Sequence, residues 1–443
     1  MLGRHSVALA AVLGVACNAP LSTAPGDGTP SIDGGIEGWD ASIPAPDAAP
    51  GDEPDGGMVP PAPARVLYPE GQLHSPITSD MMLALRAIAQ QTSRQDRVFA
   101  KVGDSITATD EFLACFDDGP VDLGSRGALS SSLTYFRAGD AAGTSPFARW
   151  SFSAVSGWTT ADVLAGAPPA VEREISATSP RYGVVMLGTN DLRFGRSYDA
   201  VGGDLWTITD RMLAGGVIPI LSTIPANRED ASANARVPVL NRIVRAIAQG
   251  RGIPLVDYHF AMRTLANQGI SSDQIHPSSS PQGSCILTDT GLAYGYNLRN
   301  ALTLEALDRA RRTIAGETLD GDQPRRSGRG TQADPYTGSL PLVDLRDTRT
   351  GELGIASYCG LTAGGHEVVY QINVSSPRTI QALIVDRGAV NVDVAILQGS
   401  IGPSGCRGSG DGAASASVSA GTVYIVVDSR ALTSEGEFLL VVQ

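Results

Sequence analysis

Two hydrophobic patterns follow one another along this chain of 443 residues, and each predicts a different kind of sheet. Between residues 65 and 315, short apolar runs alternate with longer segments of helical periodicity. From residue 336 to residue 443, apolar and polar residues alternate with period two in short runs broken by Gly, Ser and Asn. The first pattern predicts a parallel sheet with helices on both faces, and the second predicts a small antiparallel β-sandwich or jelly roll.

Composition extends this division to the whole chain. The N-terminal apolar stretch, about ten residues long, is typical of a signal peptide and too short to span a bilayer. The Pro-, Gly- and Asp-rich stretch after it contains eight acidic residues and no Lys or Arg, which predicts a disordered linker. The predicted segments are a signal peptide at 1–16, a linker at 17–64, an α/β domain at 65–315, a second linker at 316–335 and a β-sandwich domain at 336–443.

The signal peptide ends in LGVAC, which resembles a bacterial lipobox. In such a signal, Cys17 would be lipidated and become the mature N-terminus. A lipobox usually has leucine three residues before the cysteine, where this chain has Gly14. A plain secretory signal cut nearby is the alternative. The sequence therefore predicts an exported bacterial protein, either a lipoprotein of the cell envelope or outer membrane or a secreted protein.

The charge of the chain argues against nucleic acid as a partner. The formal net charge is −13, and most of it comes from the N-terminal linker. Residues 65–443 contain 32 basic and 38 acidic residues, a net charge of −6. The basic residues are almost all arginine, with Lys101 as the single lysine. No basic stripe of the kind that binds a phosphate backbone is visible.

The four cysteines after Cys17 fall two in each predicted domain. An even number in each domain of an exported protein favours disulfides, and no CxxC or Cys/His spacing suggests a metal site. We therefore expect two bonds, with four buried free thiols as the alternative. The expected pairs are Cys115–Cys285 and Cys359–Cys406.

A serine and a histidine in strand-end loops suggest a hydrolase. Ser105 directly follows the apolar run RVFAKVGD, so it lies at the carboxyl end of a predicted strand, where parallel sheets place their chemistry. His276 lies in the polar loop SSDQIHPSSS, with Asp273 three residues before it. A carboxylate at that spacing can orient an imidazole and stabilise its protonated form. His259, which is close to Asp257, is the competitor, and His74 has no acid near it in the sequence.

Hydrolysis of an ester also needs donors for the developing oxyanion. Asn190 emerges at the end of the predicted strand YGVVML, on the same sheet edge as Ser105. Gly157 precedes a predicted helix that begins near Thr159, where a backbone N–H would be free. The expected donors are therefore the amides of Ser105 and Gly157 and the side chain of Asn190.

Four short blocks, in this order, resemble those of the SGNH hydrolases, also called GDSL esterases and lipases. They are GDSI at 103–106, the block ending in Gly157, GTND at 188–191 and DQIHP at 273–277. The resemblance implies a flavodoxin-like three-layer fold, Ser105 as nucleophile, and His276 as base oriented by Asp273. It also implies an oxyanion hole completed by Gly157 and Asn190, and no metal or organic cofactor.

Two residues depart from the family pattern. Ile106 stands where leucine is usual, and Trp158 stands where smaller residues are more common. A tryptophan at that point could narrow the acyl site or form a platform for a sugar. The C-terminal region resembles, more loosely, the pre-peptidase C-terminal domains of bacterial secreted enzymes, and that resemblance assigns no site.

The sequence as a whole predicts a serine esterase for short acyl groups or for acetylated carbohydrate. Its expected partner is an ester substrate such as an acetylated polysaccharide, with membrane contact only through an N-terminal lipid. A lipase or lysophospholipase of the same family is one alternative. A non-catalytic surface lipoprotein that retains the fold is another, although no residue of the predicted triad is missing.

Overall fold

The computed structural model describes residues 66–317, 319–355, 357–362 and 364–443. The predicted signal peptide, Cys17 and the N-terminal linker lie outside these residues. Within them, no helix is both long enough and apolar enough to cross a membrane. The α/β region contains a parallel sheet of four strands: β1 (Gln95–Gly103), β2 (Pro180–Met186), β3 (Ile218–Ser222) and β4 (Leu255–Val256).

The order of the strands in this sheet is β1-β2-β3-β4, all parallel. A single parallel bridge between Gly103 and Ala154 adds a short fifth pairing on the outer side of β1. The chain leaves β1 to pair at Ala154 on one side of this strand. It then crosses to the other side, where β2 pairs with β1. This is the flavodoxin-like order, and it opens a crevice at the carboxyl end of β1.

Ten α-helices in the described part of the chain surround the sheet. They are α1 (Ser79–Gln91), α2 (Cys115–Asp118), α3 (Ser130–Arg137), α4 (Thr160–Leu164), α5 (Ala170–Thr178), α6 (Thr189–Arg193), α7 (Tyr198–Ala214), α8 (Ala231–Arg251), α9 (Tyr258–Met262) and α10 (Gly295–Ile314). Helix α10 contacts both α1 and α3. Helices α4, α5 and α7 contact one another, and α7 also contacts α8. Strands β1 and β3 each contact a helix from both groups. The two groups therefore cover opposite faces, which confirms the predicted three-layer α/β fold.

Strand β1 is anchored by the single lysine of the chain. The last six residues of β1 are buried, and Lys101 is among them. Its Nζ donates a hydrogen bond of 3.1 Å to the carbonyl of Phe147. Burial lowers the pKa of Lys101 to about 8, although Glu174 and Asp110 oppose this effect. The buried amine therefore loses its proton more readily than an exposed lysine does.

Strand β4 is shorter than the sequence suggests. The apolar run IPLVDY predicts a strand over 253–258, but only Leu255 and Val256 pair with β3. Pro254 has no N–H to donate to a neighbouring strand. Asp257 then accepts a hydrogen bond of 3.1 Å from the N–H of Phe260 and so caps α9. Helix capping therefore ends the strand where hydrophobicity alone would extend it.

The C-terminal region folds into two packed sheets and a small hairpin. Its strands are β5 (Tyr336–Gly338), β6 (Leu342–Asp347), β7 (Ser357–Tyr358), β8 (Leu361–Thr362), β9 (Glu367–Val374), β10 (Arg378–Val385), β11 (Val392–Gln398), β12 (Cys406–Asp411), β13 (Ala413–Val418), β14 (Gly421–Ser429) and β15 (Glu437–Val442). One sheet has the order β13-β10-β15-β6 and the other β12-β11-β14-β9-β5. Residues such as Ile372, Ile425 and Phe438 fill the core between them. The predicted β-sandwich is confirmed, with one parallel pair, β5 and β9, in an otherwise antiparallel arrangement.

The β-sandwich packs directly against helix α8. Leu345 of β6 and Leu439 of β15 belong to the same buried cluster as the α/β core. Arg251, at the end of α8, forms ion pairs with Glu437 of β15 at 2.6 Å and with Asp210 of α7 at 2.7 Å. The Gln249 side chain donates to the carbonyl of Val343 at 3.3 Å. The sheet β13-β10-β15-β6 is therefore covered on both faces, by the second sheet of the sandwich on one side and by α8 on the other.

Both expected disulfides are present. Cys115 is bonded to Cys285, and Cys359 is bonded to Cys406. The first bond joins the segment after Ser105 to the segment after His276. The second ties the turn between β7 and β8 to the first residue of β12.

Four acidic residues stand opposite one another across neighbouring strands of the five-stranded sheet. In order they are Glu367 on β9, Asp428 on β14, Asp393 on β11 and Asp411 on β12. Asp428 Oδ2 and Glu367 Oε2 are buried without a hydrogen-bond partner in the described part of the chain. Burial, together with the charges of Glu367 and Asp393, raises the pKa of Asp428 to about 8. At neutral pH, Asp428 is therefore mostly protonated.

We predict that Asp428→Asn makes the folded protein less sensitive to alkaline pH. Because the folded pKa lies above the unfolded one, the folded state binds more protons between about pH 4 and pH 8, and its stability falls as the pH rises. The loss approaches about 1.4 kcal/mol per pH unit. Denaturant unfolding at pH 5 and pH 8 should show a smaller difference for the variant, which cannot ionise. Asp411→Asn, at the exposed end of the row, is the control, and equal differences for Asp428→Asn and wild type would contradict the prediction.

Candidate active site

The turn after β1 presents Ser105 at the edge of the sheet. The buried residue Asp104 builds this turn, because its carbonyl accepts from Thr107 N at 2.9 Å and its carboxylate accepts from Ile106 N at 3.0 Å. A Cβ atom at Gly103 would lie 2.1 Å from Thr107 Oγ1, so only glycine lets the turn fold back this closely. The motif Gly-Asp-Ser is therefore explained locally by a tight turn that leaves the serine projecting.

Ser105, His276 and Asp273 form a continuous chain of hydrogen bonds. His276 Nε2 lies 2.8 Å from Ser105 Oγ, and its Nδ1 lies 2.7 Å from Asp273 Oδ2. The tautomer with the proton on Nδ1 satisfies both contacts, because Nε2 is then free to accept the serine proton. The structure thus brings together three predicted residues, of which Ser105 and His276 are separated by 171 positions.

The Asp273 loop holds this carboxylate in its ionised form. Partial burial of Asp273 disfavours the charge, but hydrogen bonds from Ile275 N, the Ser271 hydroxyl and His276 N outweigh it. The pKa of Asp273 therefore lies well below its usual range. A permanent negative charge at this point stabilises a positively charged His276.

The three predicted oxyanion donors each keep an N–H group without a partner among the described residues. The N–H groups of Ser105 and Gly157 have no hydrogen-bond partner within the described residues. Gly157 has a φ of +84°, a conformation that favours glycine. Asn190 follows β2, and its Nδ2 donates one hydrogen to Trp158 O at 3.0 Å. The second hydrogen of Nδ2 remains for a ligand.

A buried carboxylate ties the two oxyanion segments together. Asp191, next to Asn190, accepts from Thr160 N at 3.1 Å and from Thr160 Oγ1 at 2.7 Å. Arg196 binds Asp191 as well as Asp204, the latter at 2.8 Å. Burial raises the pKa of Asp191, and these hydrogen bonds partly offset the rise. Asp191 thus fixes helix α4, which follows Gly157, against helix α6, which contains Asn190.

Arg299 is a site residue that sequence reasoning missed. It lies on α10, is buried, and donates to Ile106 O at 2.5 Å and to Thr107 Oγ1 at 2.8 Å. Its guanidinium stacks 3.6 Å from the centre of the Phe112 ring. Burial lowers the pKa of Arg299 to about 10. These two hydrogen bonds hold the turn that contains Ser105 in place. No local sequence motif identifies Arg299 as a site residue.

Burial also changes the pKa of Asp104. Burial raises its pKa to about 6, against the hydrogen bond from Ile106 and the charge of Arg299. Its Oδ2 is buried with no partner among the described residues. Ionisation of Asp104 therefore occurs close to neutral pH, near the triad.

The other candidate residues lie elsewhere. The carboxylate of Asp257 forms an ion pair with Arg245 and does not bind the His259 ring. The backbone N–H of His259 donates to Thr223 Oγ1 at 2.9 Å. His74 lies at the edge of the sheet beside β4, where it pairs at 2.9 Å with Glu305, an acid distant in the sequence. No group of His, Cys, Asp and Glu side chains in the described part of the chain is arranged to hold a metal ion.

Trp158 is only partly exposed. Its side chain packs against the core of the α/β region, and its carbonyl accepts the Asn190 amide. Trp158 therefore joins the core of the α/β region to the helix that contains Asn190.

Comparisons with known proteins agree with the sequence blocks. Residues 102–280 match the GDSL-like Lipase/Acylhydrolase family, which confirms the resemblance. A GDSL-like lipase from Bacteroides thetaiotaomicron is 19% identical over 52% of this chain and 98% of its own, with a TM-score of 0.34. An acetylxylan esterase from Geobacillus stearothermophilus is 19% identical over 50% of this chain and 95% of its own, with a TM-score of 0.31.

A second kind of solved structure matches a smaller part of the chain. The pre-peptidase C-terminal domain of a Bacillus anthracis collagenase is 16% identical over 24% of this chain and 92% of its own, with a TM-score of 0.19. No curated protein matches the chain.

We predict that Arg299→Lys lowers kcat about tenfold and leaves KM nearly unchanged. Lysine keeps the positive charge but cannot make both hydrogen bonds to the nucleophile turn, so Ser105 loses its alignment with His276. Steady-state kinetics on p-nitrophenyl acetate measures the change, and thermal unfolding checks that the variant is folded. Arg173→Lys, on the solvent side of α5, serves as the control. An unchanged kcat for Arg299→Lys would contradict the positioning role.

Proposed function

We propose that this serine ester hydrolase, whose residues 102–280 match the GDSL-like lipase/acylhydrolase family, removes short acyl groups from esters. Acetyl groups on a carbohydrate are the substrate that we favour. The observation that carries the proposal is the unbroken chain of contacts from Ser105 through His276 to Asp273, with distances of 2.8 and 2.7 Å. Serine hydrolysis requires this arrangement of nucleophile, base and orienting acid.

In the first step, Ser105 Oγ attacks the acyl carbonyl as His276 Nε2 takes the hydroxyl proton. The tetrahedral oxyanion accepts hydrogen bonds from the N–H groups of Ser105 and Gly157 and from the Asn190 side chain. His276 then gives the proton to the departing alcohol, and an acyl-serine remains. Asp273 stabilises the protonated imidazole but keeps no proton itself.

In the second step, water enters where the alcohol has left. His276 takes a proton from this water as its oxygen attacks the acyl carbon, and the same three donors stabilise the second oxyanion. Collapse of this intermediate breaks the bond to Ser105 Oγ, which recovers its proton from His276. The products are a carboxylic acid and free enzyme, and four proton transfers complete the cycle, two to His276 and two from it.

Polar groups beside the nucleophile turn support a small ester. Thr107, Thr109, Asp110 and Arg149 line a small indentation there, together with Trp150 and several alanines. A long alkyl chain needs an extended apolar channel. We therefore favour acetyl esters over the lipase and lysophospholipase alternatives.

We predict that the protein without residues 1–64 hydrolyses p-nitrophenyl acetate and that Ser105→Ala lowers kcat by at least about a thousandfold. The variant lacks the nucleophile but keeps the fold. Release of p-nitrophenol at 405 nm measures the rate. Ser130→Ala, on helix α3, is the matched control and should behave like wild type. Equal rates for Ser105→Ala and wild type would refute the assignment, including its distinction from a non-catalytic lipoprotein.

Asn190→Ala and a chain-length series extend the same experiment. Loss of one oxyanion donor should lower kcat by roughly a hundred- to a thousandfold. Activity on acetate, butyrate and octanoate esters should fall with length. A preference for octanoate would instead favour the lipase alternative.

For the location of the protein we propose export, with Cys17 as a lipid anchor. Two disulfides support an oxidising compartment, because such bonds are rare in the cytosol. The LGVAC motif supports lipidation over a plain secretory signal.

We predict that Cys17→Ala moves the protein expressed in a Gram-negative host from the membrane fraction to the periplasm or medium. Without the thiol, no lipid can be attached. Detergent phase partition followed by immunoblotting measures the change. Wild-type protein in the aqueous phase would show a plain secretory signal instead.

A further inference from the structure

Helix α8, the residues in and around helix α9, and residues 70–71 line a cleft with a volume of about 420 Å³. We call it the arginine cleft. Sites that bind small molecules usually have volumes of about 300–1,000 Å³. None of the described residues that line the arginine cleft belongs to the triad or to the oxyanion donors. It is therefore large enough for a ligand, and it is a different site from the one that contains Ser105.

Three arginines line the arginine cleft, and two of them are matched by acids of the same lining. Arg245 is buried, forms an ion pair with Asp257 and donates to Pro69 O at 3.0 Å. Arg242 forms an ion pair with Glu70 at 3.2 Å. Each acid of the lining is thus neutralised by a neighbouring guanidinium.

Arg263 supplies the positive charge that remains. It directly follows α9 and is exposed, and its guanidinium has no acceptor or ion-pair partner in the part of the chain that the structure describes. The ring of His259, which also lines the arginine cleft, adds no charge at neutral pH, because burial lowers its pKa. The lining therefore has one positive charge without a matching acid.

An aromatic residue and a proline add apolar groups to the same lining. They are Phe260 of α9 and Pro238 of α8. Phe260 is half-buried, so part of it remains accessible to a ligand. Its backbone is held in place, since its N–H donates to Asp257 at 3.1 Å. A side chain on an anchored backbone binds a ligand at a lower entropic cost than a mobile one.

This combination of groups selects for one class of ligand. A carboxylate can accept two parallel hydrogen bonds from the planar guanidinium of Arg263. A single negative charge neutralises the lining, whereas a phosphate dianion would add negative charge beside Glu70 and Asp257. An apolar body attached to the carboxylate can pack against Phe260. The arginine cleft therefore fits an organic monoanion better than an inorganic ion or a neutral molecule.

We propose that the arginine cleft binds an organic monocarboxylate with a flat apolar body. The carboxylate pairs with Arg263, and the body packs against Phe260. This inference goes beyond the proposed esterase function and does not depend on it, because the two sites share no described residue. It gives the protein a second ligand, an organic acid, which is bound without being hydrolysed.

The test uses 2-naphthoate as the probe and isothermal titration calorimetry as the measurement. For the wild type we expect a Kd on the order of 1 mM or tighter. Arg263→Gln should raise this Kd about tenfold, because it removes the charged hydrogen-bond donor. Arg378→Gln, which removes an exposed guanidinium from β10, is the matched control and should leave the Kd unchanged. Thermal unfolding checks that both variants are folded.

Two further probes share the naphthalene body and differ in the head group. 2-Naphthalenemethanol has no charge, and we expect it to bind at least about tenfold more weakly than 2-naphthoate. 2-Naphthyl phosphate has a second negative charge at neutral pH and should also bind more weakly. Hydrolysis of p-nitrophenyl acetate should be the same for Arg263→Gln as for the wild type.

Four results would overturn the inference. The first is no binding of 2-naphthoate up to about 10 mM. The second is an equal Kd for Arg263→Gln and wild type, which, with competitive inhibition of p-nitrophenyl acetate hydrolysis, would place the probe in the ester site. Equal binding of 2-naphthalenemethanol would show that charge is not recognised, and tighter binding of 2-naphthyl phosphate would show a phosphate site. Failure of the proposed function would appear separately, as p-nitrophenyl acetate hydrolysis that does not depend on Ser105.

Discussion

The carboxyl ends of parallel strands lie at the same edge of a sheet, and the position of the whole site depends on this arrangement. The end of β1 supplies Ser105, and the end of β2 supplies Asn190. The segment that pairs with Gly103 from the other side leads into Gly157. Because the chain leaves β1 in opposite directions, its loops diverge and leave a crevice above the serine. Only His276 and Asp273 must be brought in from a distant loop, and the bond between Cys115 and Cys285 joins the segments that follow the two halves of the triad.

Local sequence predicted what depends on local pattern. The periodicity indicated the parallel sheet and the β-sandwich, and the even cysteine count indicated both disulfides. The four family blocks led to residues that the structure then brought together. Features that depend on distant partners were not visible. Arg299 looks like any helical arginine until the fold places it under Ile106, and Asp191 shows its role only when Thr160 is beside it. The strand at 253–258 was predicted too long, since capping by Asp257 competes with pairing.

The β-sandwich illustrates the limit of alternation as a guide. An antiparallel sheet with one solvated face shows hydrophobic and polar residues in turn. In β15, however, Phe438 to Val442 are all buried, because one face meets the second sheet and the other meets α8. The ion pairs of Arg251 with Glu437 and Asp210 lie at the border of this contact. The C-terminal region therefore extends the core of the hydrolase and does not behave as a separate domain joined only by a flexible linker.

The single lysine gives the molecule an unusual chemical property. Lys101 lies on strand β1, four residues before Ser105, and its amine is enclosed against Phe147 O. Every other basic side chain apart from the histidines is an arginine, which common amine reagents do not attack. Acylation of a lysine in this protein would therefore report one event only, the opening of the strand that carries the nucleophile. Because Lys101 is the single lysine, its amine can serve as a chemical probe for the local stability of strand β1.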